Sequence, residues 1–446
     1  PRPPPSSNRR QRQMCIRDRR MNTNLEDETR EHESKSSGYK WIVFGVMFAI
    51  MGIVLGANWM VMPVLFTQMS ETTGIALSTF QTIWALIPLA GILVCLPAGL
   101  LADKFGVYWV IGTSLILCTV FGSMRGLFSS YAGIAAATFL WGGSSYVFMV
   151  NYPKVIGQWF PPNQLAAING LVMAAYSIGA AVGMSISGTM ISAAVGGWQN
   201  TYHFWAALTG LCTVLWFLLV KERRDAASDM GKSQEAIAAE ASIGSMSMVA
   251  NIMKVRDSWY LIAIFSLLMG GWIGITGLFP SMMEQLGWPR ADANNSMAVA
   301  TVAMIVGCAV IPTLSDWIGR RRWIFSVSMI LCGLATVLMF LSVKTPGNSM
   351  LWVFLTVLGF MAGAMPIILA IPVELKAIGI GLAGTAVGLM NMGSNITGFL
   401  FPLAGMSMLK MEPIWSGLLF GGVGFVLAGL LALMLTETGA KATSKS

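Results

Sequence analysis

Gly99-Leu100-Leu101-Ala102-Asp103-Lys104-Phe105-Gly106 and Asp316-Trp317-Ile318-Gly319-Arg320-Arg321-Arg322 are two versions of one short turn. Each version follows a long apolar segment and precedes another one. The two aspartates lie 213 positions apart (316 − 103). A second pair of segments, Asn169-Gly170 and Ala383-Gly384, repeats at an offset of 214. Repetition at one offset predicts a chain built from two related halves, an organisation that many membrane proteins share.

The composition is that of a membrane protein. Hydrophobic residues make up 55% of the chain and charged residues only 11%, with a mean hydropathy of +0.68. A soluble domain carries about 25% charged residues, so most of this surface is expected to face a lipid bilayer. The net charge of +8 does not indicate nucleic-acid binding, because residues 1–20 contribute +6 of it (seven Arg less Asp18).

The first 40 residues are not expected to join the fold. Residues 1–20 resemble translated adapter sequence, so Met21 is the expected natural start. Residues 21–40 are polar and lean acidic, which predicts a disordered cytoplasmic tail. The apolar segment from Trp41 onward is too long for a cleavable signal peptide and is expected to remain as a membrane span.

The apolar segments predict an all-α membrane protein with twelve transmembrane helices, because each approaches the roughly 20 residues that a bilayer requires. The predicted spans are 41–67, 76–101, 107–124, 131–153, 164–194, 201–220, 259–283, 294–315, 322–343, 349–372, 378–405 and 413–436. The one long connection divides them into two pseudo-symmetric six-helix bundles. The predicted units are an amino-terminal bundle at 41–220, a cytoplasmic linker at 221–258, a carboxyl-terminal bundle at 259–436 and a cytoplasmic tail at 437–446.

The basic residues of the connections predict the orientation. With the amino terminus inside, the cytoplasmic connections carry twelve Lys and Arg and the external connections carry four. Positive charge favours the cytoplasmic side, so both termini are predicted to be cytoplasmic. The end of the linker, Met246–Val255, is either a short amphipathic helix on the membrane surface or part of a solvated linker.

The repeated turn resembles the hallmark of the major facilitator superfamily, which has the form Gly-x-Leu-Ala-Asp-Arg-x-Gly-Arg-Lys. In the first copy Lys104 replaces the Arg, and in the second Pro312 replaces the first Gly. The matching positions are Gly99, Leu101, Ala102, Asp103 and Gly106, and then Asp316, Gly319, Arg320 and Arg321. The segment Asn151–Lys154 also resembles the loop after span four in organic-anion and nitrate branches of that superfamily. The resemblance covers about residues 41–436 and implies a monomeric secondary transporter of the cytoplasmic membrane that works by alternating access.

The two turns are predicted to form an inner gate. Their glycines allow two helices to meet at close range, and their aspartates lie at the inner ends of spans. We expect Asp103 to cap the start of span eleven near Ile378–Leu382, and Asp316 to cap span five near Pro161-Pro162, because helix amino-terminal ends are positive. The alternative is a loop cap without a gating role. The gate residues are Gly99, Asp103, Lys104, Gly106, Asp316, Gly319, Arg320 and Arg321.

Neutral polar and aromatic side chains are predicted to line the substrate path. No Asp, Glu, Lys, Arg or His occupies the midpoint of a predicted span, although ionisable residues in membranes usually mark function. Amides and aromatic rings suit a small organic solute that is neutral or weakly acidic, carboxylates included. For the tryptophans, a place in an interface belt is the alternative. The candidates are Asn58, Trp59, Gln81, Trp84, Ser145, Tyr146, Tyr176, Trp272, Thr276, Asn391 and Asn395.

Two further positions bear on charge. Many members of the superfamily carry an Arg in span four that is implicated in proton coupling, and alignment on Gly142 puts Thr138 there, which argues against proton antiport. Arg125 lies 19 positions after Gly106 (125 − 106), about 28 Å along a helix. It is therefore predicted at the outer rim, either as an interfacial anchor or as a ligand for an incoming anion.

The sequence predicts a transporter without a cofactor or metal. It contains no Gly-x-x-x-x-Gly-Lys-Ser/Thr loop, so direct use of ATP is not expected, and the expected partners are a small-molecule substrate and lipid, with a coupling cation left open. One alternative is a solute sensor on the same fold. A membrane-embedded enzyme has less support, because the only two histidines, His32 and His203, lie in separate regions.

Overall fold

The computed structural model describes residues 38–160, 164–221, 245–375, 377–409 and 418–438. Every regular element in these ranges is helical. The first six helices are α1 (Gly38–Thr73), α2 (Leu77–Phe105), α3 (Val107–Leu127), α4 (Tyr131–Trp159), α5 (Leu165–Ile186, continued by Ser187–Ile191 and Ser192–Val195) and α6 (Trp198–Leu219). The others are α7 (Ser245–Lys254), α8 (Arg256–Gln285), α9 (Arg290–Ile318), α10 (Arg321–Ser342), α11 (Met350–Ala362), α12 (Met365–Glu374), α13 (Gly379–Leu409) and α14 (Gly424–Ala432, preceded by the π-helical turn Leu418–Val423).

The helices confirm the predicted all-α membrane fold. Within the described ranges, ten helical segments are long and apolar enough to cross a bilayer, α11 and α12 counting together. The 31-residue α13 occupies the place of the eleventh predicted span, and a shorter apolar helix, Gly421–Ala432, that of the twelfth. Several helices run past the predicted boundaries, such as α1 to Thr73 and α4 to Trp159. The predicted boundaries lie where hydropathy falls, at the edge of the hydrocarbon. The helices are longer because their backbone hydrogen bonds continue beyond that edge.

The tenth predicted span, 349–372, is two helices rather than one. α11 ends at Ala362 and α12 begins at Met365. Gly363 lies at the break, where a methyl group would overlap the backbone of Gly307 on α9. Contact between two backbones requires residues without side chains, and here it coincides with a local interruption of the helix.

Contacts between the halves follow the predicted pseudo-symmetry. We use inner and outer in the sense of the predicted orientation. The halves meet where α2 packs on α13, where α5 packs on α9, and where α1 packs on α8. Helices α2 and α9 are the second of each half, and α5 and α13 are the fifth. The first two contacts are therefore equivalent under exchange of the halves, as two related bundles require.

The end of the predicted linker is helical. α7 spans Ser245–Lys254 and lies beside α8 and α13. Its Ile252 is buried, whereas Ala250 and Asn251 are exposed. The helical alternative therefore describes this segment. The rest of the linker and both predicted tails fall largely outside the described residues.

Within the first half, α1 and α5 approach each other through small residues. A methyl group at Gly179 of α5 would overlap the backbone of Gly52 on α1, and one at Gly183 would overlap Ala57. Helices in lipid associate largely by van der Waals packing, which is closest when the facing residues are small. The first half is therefore held in part by backbone contact between α1 and α5.

This contact predicts a loss of stability on Gly179→Ala. The added methyl group forces α1 and α5 apart, and overpacking of this kind costs about 1–3 kcal/mol. Thermal unfolding of the purified protein in detergent measures the effect, and the Tm of Gly179→Ala should fall below that of the wild type.

Gly170→Ala is the matched control in the same helix, because nothing lies within 4 Å of its methyl position. Alanine there should leave the Tm unchanged or raise it slightly, since it favours a helix more than glycine does. Equal Tm values for the two variants would contradict the close contact.

Candidate functional site: the path between the halves and a buried arginine

The first predicted gate turn joins α2 to α3 through one glycine. Gly106 has a φ of 86° and its N–H donates to the carbonyl of Ala102 at 3.0 Å. The left-handed conformation favours glycine, and α3 begins at the next residue. Lys104 is exposed, and the carbonyl of Gly99 accepts a hydrogen bond from Nζ of Lys154 on α4 at 3.2 Å. The turn is thus fixed to the inner end of α4.

The second gate turn carries a chain of charges. Gly319 has a φ of 71°, and Arg321 at the start of α10 follows it closely. The Arg321 guanidinium forms ion pairs with Asp316 at 2.9 Å and with Glu374 of α12 at 2.6 Å. Arg320 is exposed. Arg321 therefore connects α9, α10 and α12 at the inner end of the second half.

The predicted capping contacts lie outside what the structure describes. Asp103 belongs to α2, but its side chain is not described, nor are those of residues 379–385 at the start of α13. The predicted contact of Asp316 with Pro161-Pro162 likewise falls on the undescribed residues 161–163. The partner that is described for Asp316 is Arg321.

Four of the predicted path residues come together between the halves. The indole N–H of Trp84 donates to the carbonyl of Trp59 at 3.2 Å, and the rings of Trp59 and Tyr146 are 5.6 Å apart. The Tyr146 hydroxyl donates to Oδ1 of Asn395 at 2.7 Å, which links α4 to α13. We call this group of Trp59, Trp84, Tyr146 and Asn395 the central cluster. It combines one hydrogen bond between the halves with three aromatic side chains.

The other path candidates lie apart from this cluster or are bonded within their own helices. Ser145 donates to the carbonyl of Gly142, and Thr276 to that of Trp272. Asn391 is exposed and donates to Val387 one turn earlier. Such hydrogen bonds pair a polar side chain with a carbonyl of its own helix, so no second helix is needed to satisfy it. Gln81 and Trp272 are buried, but no described contact joins them to the central cluster. Tyr176 lies close enough to Tyr146 of the cluster for the two side chains to interact electrostatically.

Arg125 lies in the last turn of α3, as its distance along the helix predicted, but its side chain faces the interior of the protein. Its side chain is 0% exposed, so it is not an interfacial anchor at the rim. Nη2 donates to Oδ1 of Asn58 at 2.6 Å, and the guanidinium lies 4.2 Å from the ring centroid of Trp141 and 4.6 Å from that of Tyr202. Cation–π contact with two rings stabilises a charge that water does not reach. Asn58 in turn donates to Thr209 at 3.3 Å.

The sequence carried a signal for this burial. Gly122 and Gly126 flank Arg125 on one face of α3, and small residues on one face mark close packing of membrane helices. A methyl group at Gly126 would overlap the carbonyl of Gln199 on α6. The position of Arg125 along α3 indicated how far it lies from the inner end of the helix. The flanking glycines indicated that its side chain faces the neighbouring helices.

A cavity of about 320 Å³ opens between the halves at their outer ends. Arg290 of α9 forms ion pairs with Glu71 of α1 at 3.3 Å and with Glu284 of α8 at 3.6 Å. We call these three residues the outer latch. Because Glu71 is 62% exposed, solvent screens the pair, and such pairs contribute about 0–1 kcal/mol. The lining residues are Thr67, Glu71, Leu77, Glu284, Gln285, Trp288 and Arg290.

The described residues contain no group of three or more His, Cys, Asp and Glu that could hold a metal ion. Their five cysteines are free and distributed among the helices. At the central cluster the described groups offer a hydrogen bond and aromatic contacts. The buried Arg125 guanidinium lies next to Trp141, whose ring is 6.5 Å from that of Trp59.

Comparison with known proteins identifies the family. The family model described as Major Facilitator Superfamily matches residues 47–402 and, in a second match, residues 282–445. The first match alone covers most of the chain and includes both copies of the turn.

Individual relatives are distant, but several are named as transporters. The inner membrane transport protein RhmT of Escherichia coli (strain K12) is 23% identical over 69% of this chain and 73% of that protein. The hexuronate transporter of Bacillus subtilis (strain 168) is 24% identical over 59% of this chain and 61% of that protein. The protein named "Probable galactarate/D-glucarate transporter GudP", from Escherichia coli (strain K12), is 22% identical over 90% of this chain and 94% of that protein. Since the family model covers most of its length, this chain belongs to the major facilitator superfamily and is a multi-pass membrane transporter rather than an enzyme.

Proposed function

We propose that the protein carries a small organic acid across the cytoplasmic membrane by alternating access. The observation that carries the proposal is the hydrogen bond from Tyr146 to Asn395, which joins the two halves amid the aromatic rings of the central cluster. Binding sites of transporters built from repeats lie between the halves near the middle of the membrane. Polar groups that converge among aromatic rings are typical of small-molecule sites.

The substrate class comes from the relatives. Hexuronate, galactarate and D-glucarate are named as substrates of similar proteins, and all three are polyhydroxylated carboxylates. The Asn395 amide and the Tyr146 hydroxyl of the central cluster can bond to the hydroxyl groups of such a solute. A carboxylate needs a cationic partner, and Arg125 lies behind the cluster on the first half.

Alternating access is supported by where the halves touch. The reciprocal contacts of α2 with α13 and of α5 with α9 provide two equivalent surfaces about which the halves can rock. The outer latch bridges the halves at one end through the partly exposed pair of Arg290 and Glu71, and such a weak ion pair can break and re-form. At the inner end, the ion pairs of Arg321 stay within the second half, so they can keep that half rigid while it moves.

The proposal extends to the organisation of the chain. Bundles at 41–220 and 259–436, joined by a cytoplasmic linker at 221–258, would move as two bodies, with both termini in the cytoplasm and one chain as the working unit. Asp103 and Asp316 would act in an inner gate. The choice between uniport and coupling to a cation is left to the transport assay.

Uptake into proteoliposomes tests the function directly. The protein should accumulate radiolabelled galactarate or D-glucuronate, while the neutral analogues galactitol and D-glucose should not compete, because they lack the carboxylate. Transport of the neutral analogues at equal rates would contradict the acid assignment. Tight binding of an acid without flux would contradict transport and favour a sensor on the same fold.

The Tyr146→Phe variant tests the contact between the halves. It removes one partly buried hydrogen bond from the conformation described here, a loss of about 1 kcal/mol. The population ratio of this conformation to its alternative should therefore fall roughly fivefold. Spin labels at Ser129 and Thr345, which are exposed at the outer ends of the two halves, report the distance distribution.

Tyr131→Phe, the same substitution at an exposed site at the start of α4, is the control and should leave the distribution unchanged. If Tyr146→Phe leaves both the distribution and the uptake rate at wild-type values, the hydrogen bond has no part in the conformational balance.

A further inference from the structure

Arg125 is a buried cation whose hydrogen-bonding capacity is mostly unused. A guanidinium has five N–H donors. Nη2 donates to Asn58, whereas Nε and Nη1 have no hydrogen-bond partner among the described residues. The side chain is 0% exposed, so bulk water does not supply the missing acceptors. The rings of Trp141 and Tyr202 face the charge, but ring faces do not replace acceptors in the plane of the guanidinium.

A counter-ion is also absent from the surroundings that the structure describes. None of the ion pairs described between residues 38 and 438 involves Arg125. Its one hydrogen-bond partner, Asn58, is neutral. Buried charges in proteins are normally paired, because an isolated ion in a medium of low dielectric constant is costly. Arg125 therefore has the properties of a site that lacks its anion.

Asn58 occupies an irregular point of α1. The turn Met51–Ala57 is π-helical, and the regular helix resumes at Asn58, whose N–H donates to the carbonyls of both Ile53 and Leu55. Insertions of this kind are frequent at functional sites, and a change of helical register there rotates the side chains around it. Such a rotation would turn the Asn58 amide away from Arg125.

The same residue separates Arg125 from the path. Asn58 precedes Trp59 of the central cluster, and the Trp59 ring lies 6.5 Å from that of Trp141 and 5.6 Å from that of Tyr146. The Trp141 ring is also in contact with the Arg125 guanidinium. Displacement of Asn58 and Trp59 would connect Arg125 to the space between the halves.

We propose that Arg125 and Asn58 form the subsite that binds a carboxylate of the transported acid. The carboxylate replaces Oδ1 of Asn58 as acceptor for Arg125 and takes the free donors at Nη1 or Nε. Arginine and carboxylate match in geometry and form strong paired hydrogen bonds. In the absence of substrate, the neutral Oδ1 of Asn58 accepts a hydrogen bond from the guanidinium, and an anion can displace it. The inference rests on the proposed transport of an organic acid.

The Asn58→Asp variant tests this subsite with little change of shape. It supplies Arg125 with an internal carboxylate, and the Thr209 hydroxyl can then donate to residue 58. The protein should fold with a Tm at or above that of the wild type. Uptake of galactarate or D-glucuronate should fall at least roughly tenfold, as for the loss of one charge-assisted hydrogen bond. Either acid should raise the Tm of the wild type, by mass action on the folded state, but not that of the variant.

Asn200→Asp is the matched control, because it makes the same change at an exposed site at the outer end of α6. Its uptake and its acid-dependent rise in Tm should equal those of the wild type. Arg125→Lys keeps the charge but not the planar fork, so it should bind the acids more weakly, and Arg125→Gln should abolish the rise in Tm.

Two results would overturn the inference, and they differ in whether the proposed function also fails. If the wild type transports an acid and Asn58→Asp transports it equally well, Arg125 is structural while the proposed function stands. If the wild type neither binds nor transports galactarate or D-glucuronate, both the proposed function and the subsite fail. An Arg125→Gln variant that does not fold leaves the Asn58→Asp result decisive.

Discussion

Hydrocarbon cannot form hydrogen bonds, and this constraint organises the whole molecule. Polar groups within a bilayer must find partners inside the protein, so every regular element in the described residues is a helix. Serines and threonines such as Ser145 and Thr276 bond to carbonyls of their own helices. Charges concentrate at helix ends, in the outer latch and around Arg321. Arg125 also lies in the last turn of its helix, but it differs from these charges because it is fully buried and two of its nitrogens have no described hydrogen-bond partner.

The buried Arg125 and the pseudo-symmetry of the two halves together explain why the middle of the protein is suited to transport. Two related halves meet through equivalent helix pairs, and between them lies a cluster that holds the halves by one direct hydrogen bond, from Tyr146 to Asn395. A single bond of about 1 kcal/mol can be exchanged for bonds to a solute. The cationic group that an acid needs is Arg125. It contacts Trp141, which in turn neighbours Trp59 of the central cluster.

Much of the fold could be predicted from the sequence, because hydropathy and glycine turns are local signals. The helices, the two copies of the turn and the left-handed glycines at Gly106 and Gly319 all follow from residues close together in the chain. The site followed only in part. Tyr146 and Asn395 were both predicted on the path, but a partner 249 positions away is invisible to a local pattern. Arg125 was predicted at the end of α3, where it lies, but its distance along the helix did not show that its side chain faces the interior of the protein.

A structure determined by cryo-electron microscopy with galactarate or D-glucuronate bound would show whether a substrate carboxylate takes the free donors of Arg125. We expect a carboxylate oxygen within hydrogen-bond distance of Nη1 or Nε of Arg125, with the Asn58 amide turned away from its present 2.6 Å contact. If an acid binds between the halves while Arg125 keeps that contact, and other groups hold the carboxylate, Arg125 and Asn58 are not the substrate subsite.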